Sequence, residues 1–141
     1  MAMKEMSIYN WWGFDLSKPS HLKKLIKKIE RIVRISPEYK IWADSCRSGY
    51  SNCPKCNISS QIDPLEVHHS TKTLYELIED LIDDYLKKDE EHFVKNISPI
   101  DIVKEILIMH LENKVDYEVL CSSCHERLHN ERKIKEKIKS Y

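Results

Sequence analysis

At 141 residues the chain has the size of a single domain with one real core, and its 41% hydrophobic and 33% charged residues are ordinary for a soluble globular protein. No apolar run reaches the length of a signal peptide or a membrane span, so a membrane partner is not expected and a cytoplasmic protein is. The formal charge of zero is unevenly spread: residues 1–57 hold 11 Lys/Arg against 5 Asp/Glu, 58–118 hold 6 against 15, and 119–141 hold 6 against 3. Two basic ends flank an acidic middle, which suits a polyanionic ligand but is explained about as well by solvated helix faces.

The aromatic cluster Trp11, Trp12 and Phe14 is expected to tuck into the core. "PSHLKKLIKKIERIVRISP" (19–37) then reads as a helix, because Leu22, Leu25, Ile26, Ile29, Ile32 and Val33 recur on one face among Lys and Arg. Ser20 is a candidate cap and Pro37 a candidate stop. A shorter helix in "PEYKIWADSCR" presents Tyr39, Trp42 and Cys46 on one side. "SGYSNCPKCN" is a tight loop, and "PLEVHH" and "DYEVLC" are short strands.

Two helices intervene between those strands. "TLYE" (73–76) is a capping box opening a helix through Leu77, Ile78, Leu81, Ile82 and Tyr85, after which "DLIDDYLKKDEEH" turns polar. The second helix starts at "SPID", with Ser98 as cap and Pro99 in the first turn, and runs to about Glu112. Packing of these apolar stripes on the core is the expectation, with docking of a protein partner as the alternative. The last helix begins near Cys124 and carries His125 and His129.

Four of the five cysteines fall in two CxxC pairs, Cys53/Cys56 and Cys121/Cys124, while Cys46 reads as a small buried apolar residue. In a reducing compartment two such pairs point to a structural zinc with four thiolates; a redox dithiol would not require a second pair. His125 and His129, four apart on a helix, share a face. His68 and His69 are adjacent on a strand, where side chains alternate, so one can bind an ion while the other points elsewhere. Taken singly, any of these histidines is more often a surface or core residue.

The combination "CPKC … LEVHH … VLCSSCHERLH", with the lead-in "EYKIWADSCRSGYSNCPKC", resembles the HNH endonucleases of the zinc-knuckle, phage-type branch, over residues 38–72 and 114–131. The resemblance implies a small ββα-metal core with structural zinc, to which the N-terminal helices and a two-helix insertion between the two strands, neither part of the minimal family pattern, are added in an α+β fold. It divides the chain into a basic helical arm, 1–48, and an HNH-like domain, 49–141, with the insertion at 73–113. It implies a metal-dependent endonuclease of a bacterial or phage-infected cell, hydrolysing nucleic-acid phosphodiesters, double-stranded DNA above all. His69 would be the general base, and His68, His125 and His129 would hold a catalytic Mg²⁺ or Mn²⁺, replaceable by Zn²⁺ or Ni²⁺. Cys53, Cys56, Cys121 and Cys124 would hold a separate Zn²⁺, and Arg127 and Arg132 would contact phosphate. Asp116 stands where that family usually has its central Asn, which fixes the loop carrying the base histidine. An Asp keeps the acceptor, loses the amide donor and adds a negative charge. Asn113 lies near, at the wrong spacing. The alternative is a catalytically weak or inactive zinc module that binds nucleic acid or, through the insertion, a protein partner as a regulator.

Overall fold

The computed structural model describes residues 10–87 and 98–139. Among the described residues the protein is a small α+β fold of five helices, a two-stranded antiparallel sheet and a short hairpin. Internal contacts divide it into two compact units, Met1–Lys40 with Lys72–Val115 and Ile41–Thr71 with Asp116–Tyr141.

The first unit begins with a hairpin of β1 (Asn10–Trp11) and β2 (Phe14–Asp15), whose two turn residues, Trp12 and Gly13, take φ of 54° and 83°. Positive φ at both central positions gives the turn the twist that paired strands need. Phe14 packs on the core, but Trp12 does not tuck in: it is 36% exposed, with Lys28 Nζ 5.2 Å from its ring. The side chain of Trp11 lies outside the described residues.

Helix α1 (Pro19–Ile35) starts one residue before the expected cap. Lys18 occupies the cap position and Pro19 the first turn, where its missing N–H costs nothing, so Ser20 is an ordinary helical residue. Leu25, Ile26, Ile29 and Val33 are fully buried, each worth about 1.5–3 kcal/mol relative to exposure. Ser36 ends α1 and opens the next helix, accepting the Tyr39 N–H at 3.2 Å, so Pro37 begins α2 (Pro37–Arg47) rather than merely stopping its predecessor.

Helix α3 (Leu74–Lys87) opens on the expected capping box: Thr73 Oγ1 accepts the Glu76 N–H at 3.1 Å, and Glu76 accepts the Thr73 N–H at 3.2 Å. The polar stretch beyond Lys87 lies outside the described residues. Helix α4 (Pro99–Leu111) has Ser98 as its cap and Asp101 accepting the Ser98 N–H at 2.8 Å. Asn113, at φ 58°, donates its N–H to His110 O at 3.0 Å and so closes the helix. Leu74, Ile78 and Ile82 of α3 and Ile102, Val103, Ile106 and Leu107 of α4 join the α1 stripe in one core. Packing on this core accounts for the apolar stripes of both insertion helices.

The second unit is built on β3 (Leu65–His69) and β4 (Tyr117–Cys121), paired antiparallel with Leu65 opposite Cys121 and His69 opposite Tyr117. The strands meet across the intervening helices as the sequence leads one to expect. Helix α5 (Ser122–Lys139) follows β4 without a loop, two residues earlier than Cys124. Asp63 ties its start to the strand region: its carboxylate accepts the Ser122 hydroxyl and, at 3.3 Å, the Ser123 N–H. These donors, the Ser122 hydroxyl foremost, lower the Asp63 pKa to about 2.

Candidate metal centres

The first knuckle is a tight turn after α2. The Cys53 N–H donates to Ile58 O at 2.9 Å and the Asn57 N–H returns to Cys53 O at 2.8 Å. Asn57 sits at φ 65°, a conformation that Asn tolerates better than most residues. The second knuckle runs from the end of β4, Cys121, into the first turn of α5, Cys124. Because Leu65 pairs with Cys121, the sheet register brings the two knuckles together.

The four sulfurs of Cys53, Cys56, Cys121 and Cys124 lie within 4.8 Å of one another, with Cys56 Sγ 3.6 Å from Cys121 Sγ. The Cys121 N–H donates to Cys53 Sγ at 3.4 Å, and the Cys124 N–H to Cys121 Sγ at 3.4 Å. At Cys53 desolvation works upward, but N–H donors from Cys121, Cys56 and Lys55 prevail and bring the thiol down to about 6. At Cys121 the Cys124 N–H works downward, yet desolvation and the three neighbouring thiols push it up to about 12. Four thiolates so close repel one another unless a cation stands among them. The set fits a structural metal such as zinc, whose tetrahedral sites take four sulfurs. Cys46 takes no part: it is 7% exposed, and burial raises its thiol.

On the α5 side of the sheet a second donor set converges. His68 Nδ1 lies 3.1 Å from His125 Nε2, which is 3.0 Å from His129 Nε2, and one nitrogen of each ring falls within 4.8 Å of the others. The one-turn spacing of His125 and His129 aims both rings at the strand, as the helix period demands. Three ring nitrogens facing one point cannot satisfy one another with hydrogen bonds alone, so the chemistry of the set fits a cation. Burial first, then the other two rings and Arg132, hold the pKa of His68 below the usual imidazole value. His129 is lowered for similar reasons, with Lys133 adding to the effect. Neutral imidazole is the form that can ligate.

Sequence reasoning missed Glu66, whose carboxylate lies 3.1 Å from His125 Nδ1. A carboxylate on the far nitrogen fixes the ring's orientation and raises its basicity toward an ion. The signal was present: Glu66 precedes His68 by two on a strand and so shares its face. An open groove of about 540 Å³ lies over the cluster, with Glu66, His125, His129 and Lys133 among its lining. Lys133, one helical turn beyond His129, was legible in the same way. Arg132 is half-buried beside the rings it influences; Arg127 is exposed and is not among the groove-lining residues.

The structure does not join His69 to this set. The His69 ring is 5% exposed and stacks on Trp42 at 5.6 Å, with Trp42 also edge-on to Tyr117. Strand alternation thus sends His68 and His69 to different surroundings. Asp116 lies just past this end of β3: Thr71 Oγ1 donates to its carboxylate at 2.9 Å, and the Ser70 N–H donates to its backbone oxygen at 3.2 Å. The two residues beyond the doublet, Ser70 and Thr71, are therefore clamped to the residue before β4 by one backbone and one side-chain bond.

No curated protein and no solved structure matches the chain. A family model described as "Bacteriophage G278-like virion protein" matches residues 2–138. That description names a component of a phage particle and says nothing of an activity. The chain, matched over nearly its whole length, belongs to the bacteriophage G278-like virion protein family.

Proposed function

We propose that this virion-family protein is a metal-dependent nuclease with an HNH-like ββα-metal core, hydrolysing nucleic-acid phosphodiesters and acting on double-stranded DNA. The observation that carries the reading is the segregation of donors: four thiols in one set, and three imidazoles backed by Glu66 under an open groove in another. A closed thiolate set serves stability, whereas a three-histidine set leaves positions for substrate.

In this reading His68, His125 and His129 hold a divalent ion, Mg²⁺ or Mn²⁺. When bound, it would supply Lewis acidity to the negative charge that develops on the phosphate. Glu66 holds the His125 ring in the ligating orientation. His69 accepts a proton from water, whose oxygen attacks phosphorus; the P–O3′ bond breaks, and the 3′ oxygen takes a proton from solvent. Arg132 and Lys133 offer positive charge to the phosphate. In this reading the Thr71–Asp116 bond takes the place of the loop contact that HNH endonucleases make through Asn.

The burial of His69 against Trp42 and the Asp at 116 favour a second reading, a zinc-stabilised module that binds nucleic acid or a protein partner without cutting. Incubation of supercoiled plasmid with the protein and Mg²⁺ or Mn²⁺, alongside His69→Ala, separates the two. Nicking by the wild type and not by the variant supports the enzyme. DNA retention without nicking, unchanged in the variant, supports the module.

A further inference from the structure

We infer that the solvent face of α1 is a second nucleic-acid contact, a sequence-independent phosphate-binding surface that works without the metal centres. Lys23, Lys24, Lys27, Lys28, Arg31 and Arg34 are all exposed. At 100° per residue they occupy an arc of about 140° and a length of about 16 Å between Lys23 and Arg34. The opposite arc holds Leu25, Ile26, Ile29 and Val33, all at 0% exposure. Glu30 is the single acid on this helix, at its margin and 4.0 Å from Arg34. Lys28 lies over the rings of Trp12 and Phe14. Among the described residues Lys23, Lys24, Lys27 and Arg31 have no ion-pair partner.

Six like charges on one helix face repel one another, and among the described residues only Lys28 and Arg34 find partners within the fold, so a ligand of opposite charge is the physical complement of the face. Duplex DNA presents one phosphate charge per about 1.7 Å of axis, enough for several contacts along this face. An anionic membrane fits less well. Interfacial helices bury an apolar face among lipids, and here that face is consumed by the core. The inference does not rest on the nuclease reading, since phosphate contacts of this kind need neither the imidazoles nor the thiols.

The test is fluorescence anisotropy of a labelled 30-base-pair duplex with full-length protein, no divalent ion added, across a salt series. The comparison variant combines Lys23→Gln, Lys24→Gln, Lys27→Gln and Arg31→Gln, all exposed. The wild type should show a strong salt dependence, and the variant should bind roughly 30- to 1,000-fold more weakly at 150 mM salt, its log–log slope smaller by about 2–4. Equal affinities and slopes would overturn the inference, as would a charge-dependent loss seen on phosphatidylserine vesicles or an acidic polypeptide and not on the duplex. A salt-insensitive wild type overturns it without any variant. Plasmid nicking that survives the four substitutions, or duplex binding without nicking, tells this surface apart from the proposed active site.

Discussion

Removing the metal from the four cysteines should unlock the second unit and leave the first largely intact. The first unit buries twelve apolar side chains in one cluster, nine of them at 0% exposure and all nine from α1, α3 and α4. In the second, the buried apolar set outside the four knuckle cysteines is short: Trp42, Ala43, Cys46, Leu65, Val119 and Leu120. Its two strands have five residues each, and an isolated pair of that kind is marginal in water. A structural zinc contributes about 10–16 kcal/mol of apparent binding free energy that is expressed as folding. Losing even about 4 kcal/mol lowers the protection of a backbone amide roughly a thousandfold. Hydrogen exchange read by mass spectrometry, before and after chelation verified by metal analysis, resolves the two regions. Amides of β3 and β4 should exchange at least about a thousandfold faster while those of α1 keep most of their protection. Unchanged protection in β3 and β4 after complete zinc removal would refute the reasoning and make the thiolate set peripheral.

Thr71→Val removes the hydroxyl that donates to Asp116 and should lower nicking about tenfold if the loop positions His69, whereas Asp116→Asn, which keeps an acceptor and removes a charge, should raise it; an assay showing no change in either variant dissociates the clamp from catalysis. Ile29→Ala opens a cavity in a fully buried part of the first core and should cost about 2–5 kcal/mol, measured by urea denaturation. His110 is fully buried with its Nδ1 2.7 Å from Ile106 O, and burial foremost holds its pKa below the usual imidazole value. The folded state therefore binds fewer protons than the unfolded chain, so its stability contribution is present at neutral pH and lost as pH falls below the unfolded value, by at most about 1.4 kcal/mol per pH unit. Urea melts at pH 7.5 and 5.5 should show a smaller pH difference in His110→Gln than in the wild type.

Much of the local structure was legible because it depends on neighbours in sequence. Thr73 and Glu76 close a capping box three residues apart, and the α1 stripe follows the helical period. The knuckle cysteines and the His125/His129 pair were legible for the same reason: short spacing fixes which atoms can meet. At the helix starts the structure shifts the boundary by two positions, to Lys18 from Ser20 as the cap of α1 and to Ser122 from near Cys124 for α5, choices that differ by little in free energy. The partners of the site were harder. Thr71 meets Asp116 only because the two strands pair in one register, and Trp42 reaches His69 from a helix that sequence pattern alone does not place. The grouping of α1 with the inserted helices is likewise non-local, since an apolar stripe states that it must be covered and not by what.

The chain order of the two units bears on how the protein is made. The first unit is complete once residue 115 has left the ribosome, but it encloses in sequence the segment 41–71, which must wait for residues 116–141. Cys56 is synthesised 65 positions before its neighbour Cys121. During that interval the first knuckle is a two-thiol fragment open to oxidation, so a metal held by both knuckles could be captured only when the sheet closes, late in biosynthesis.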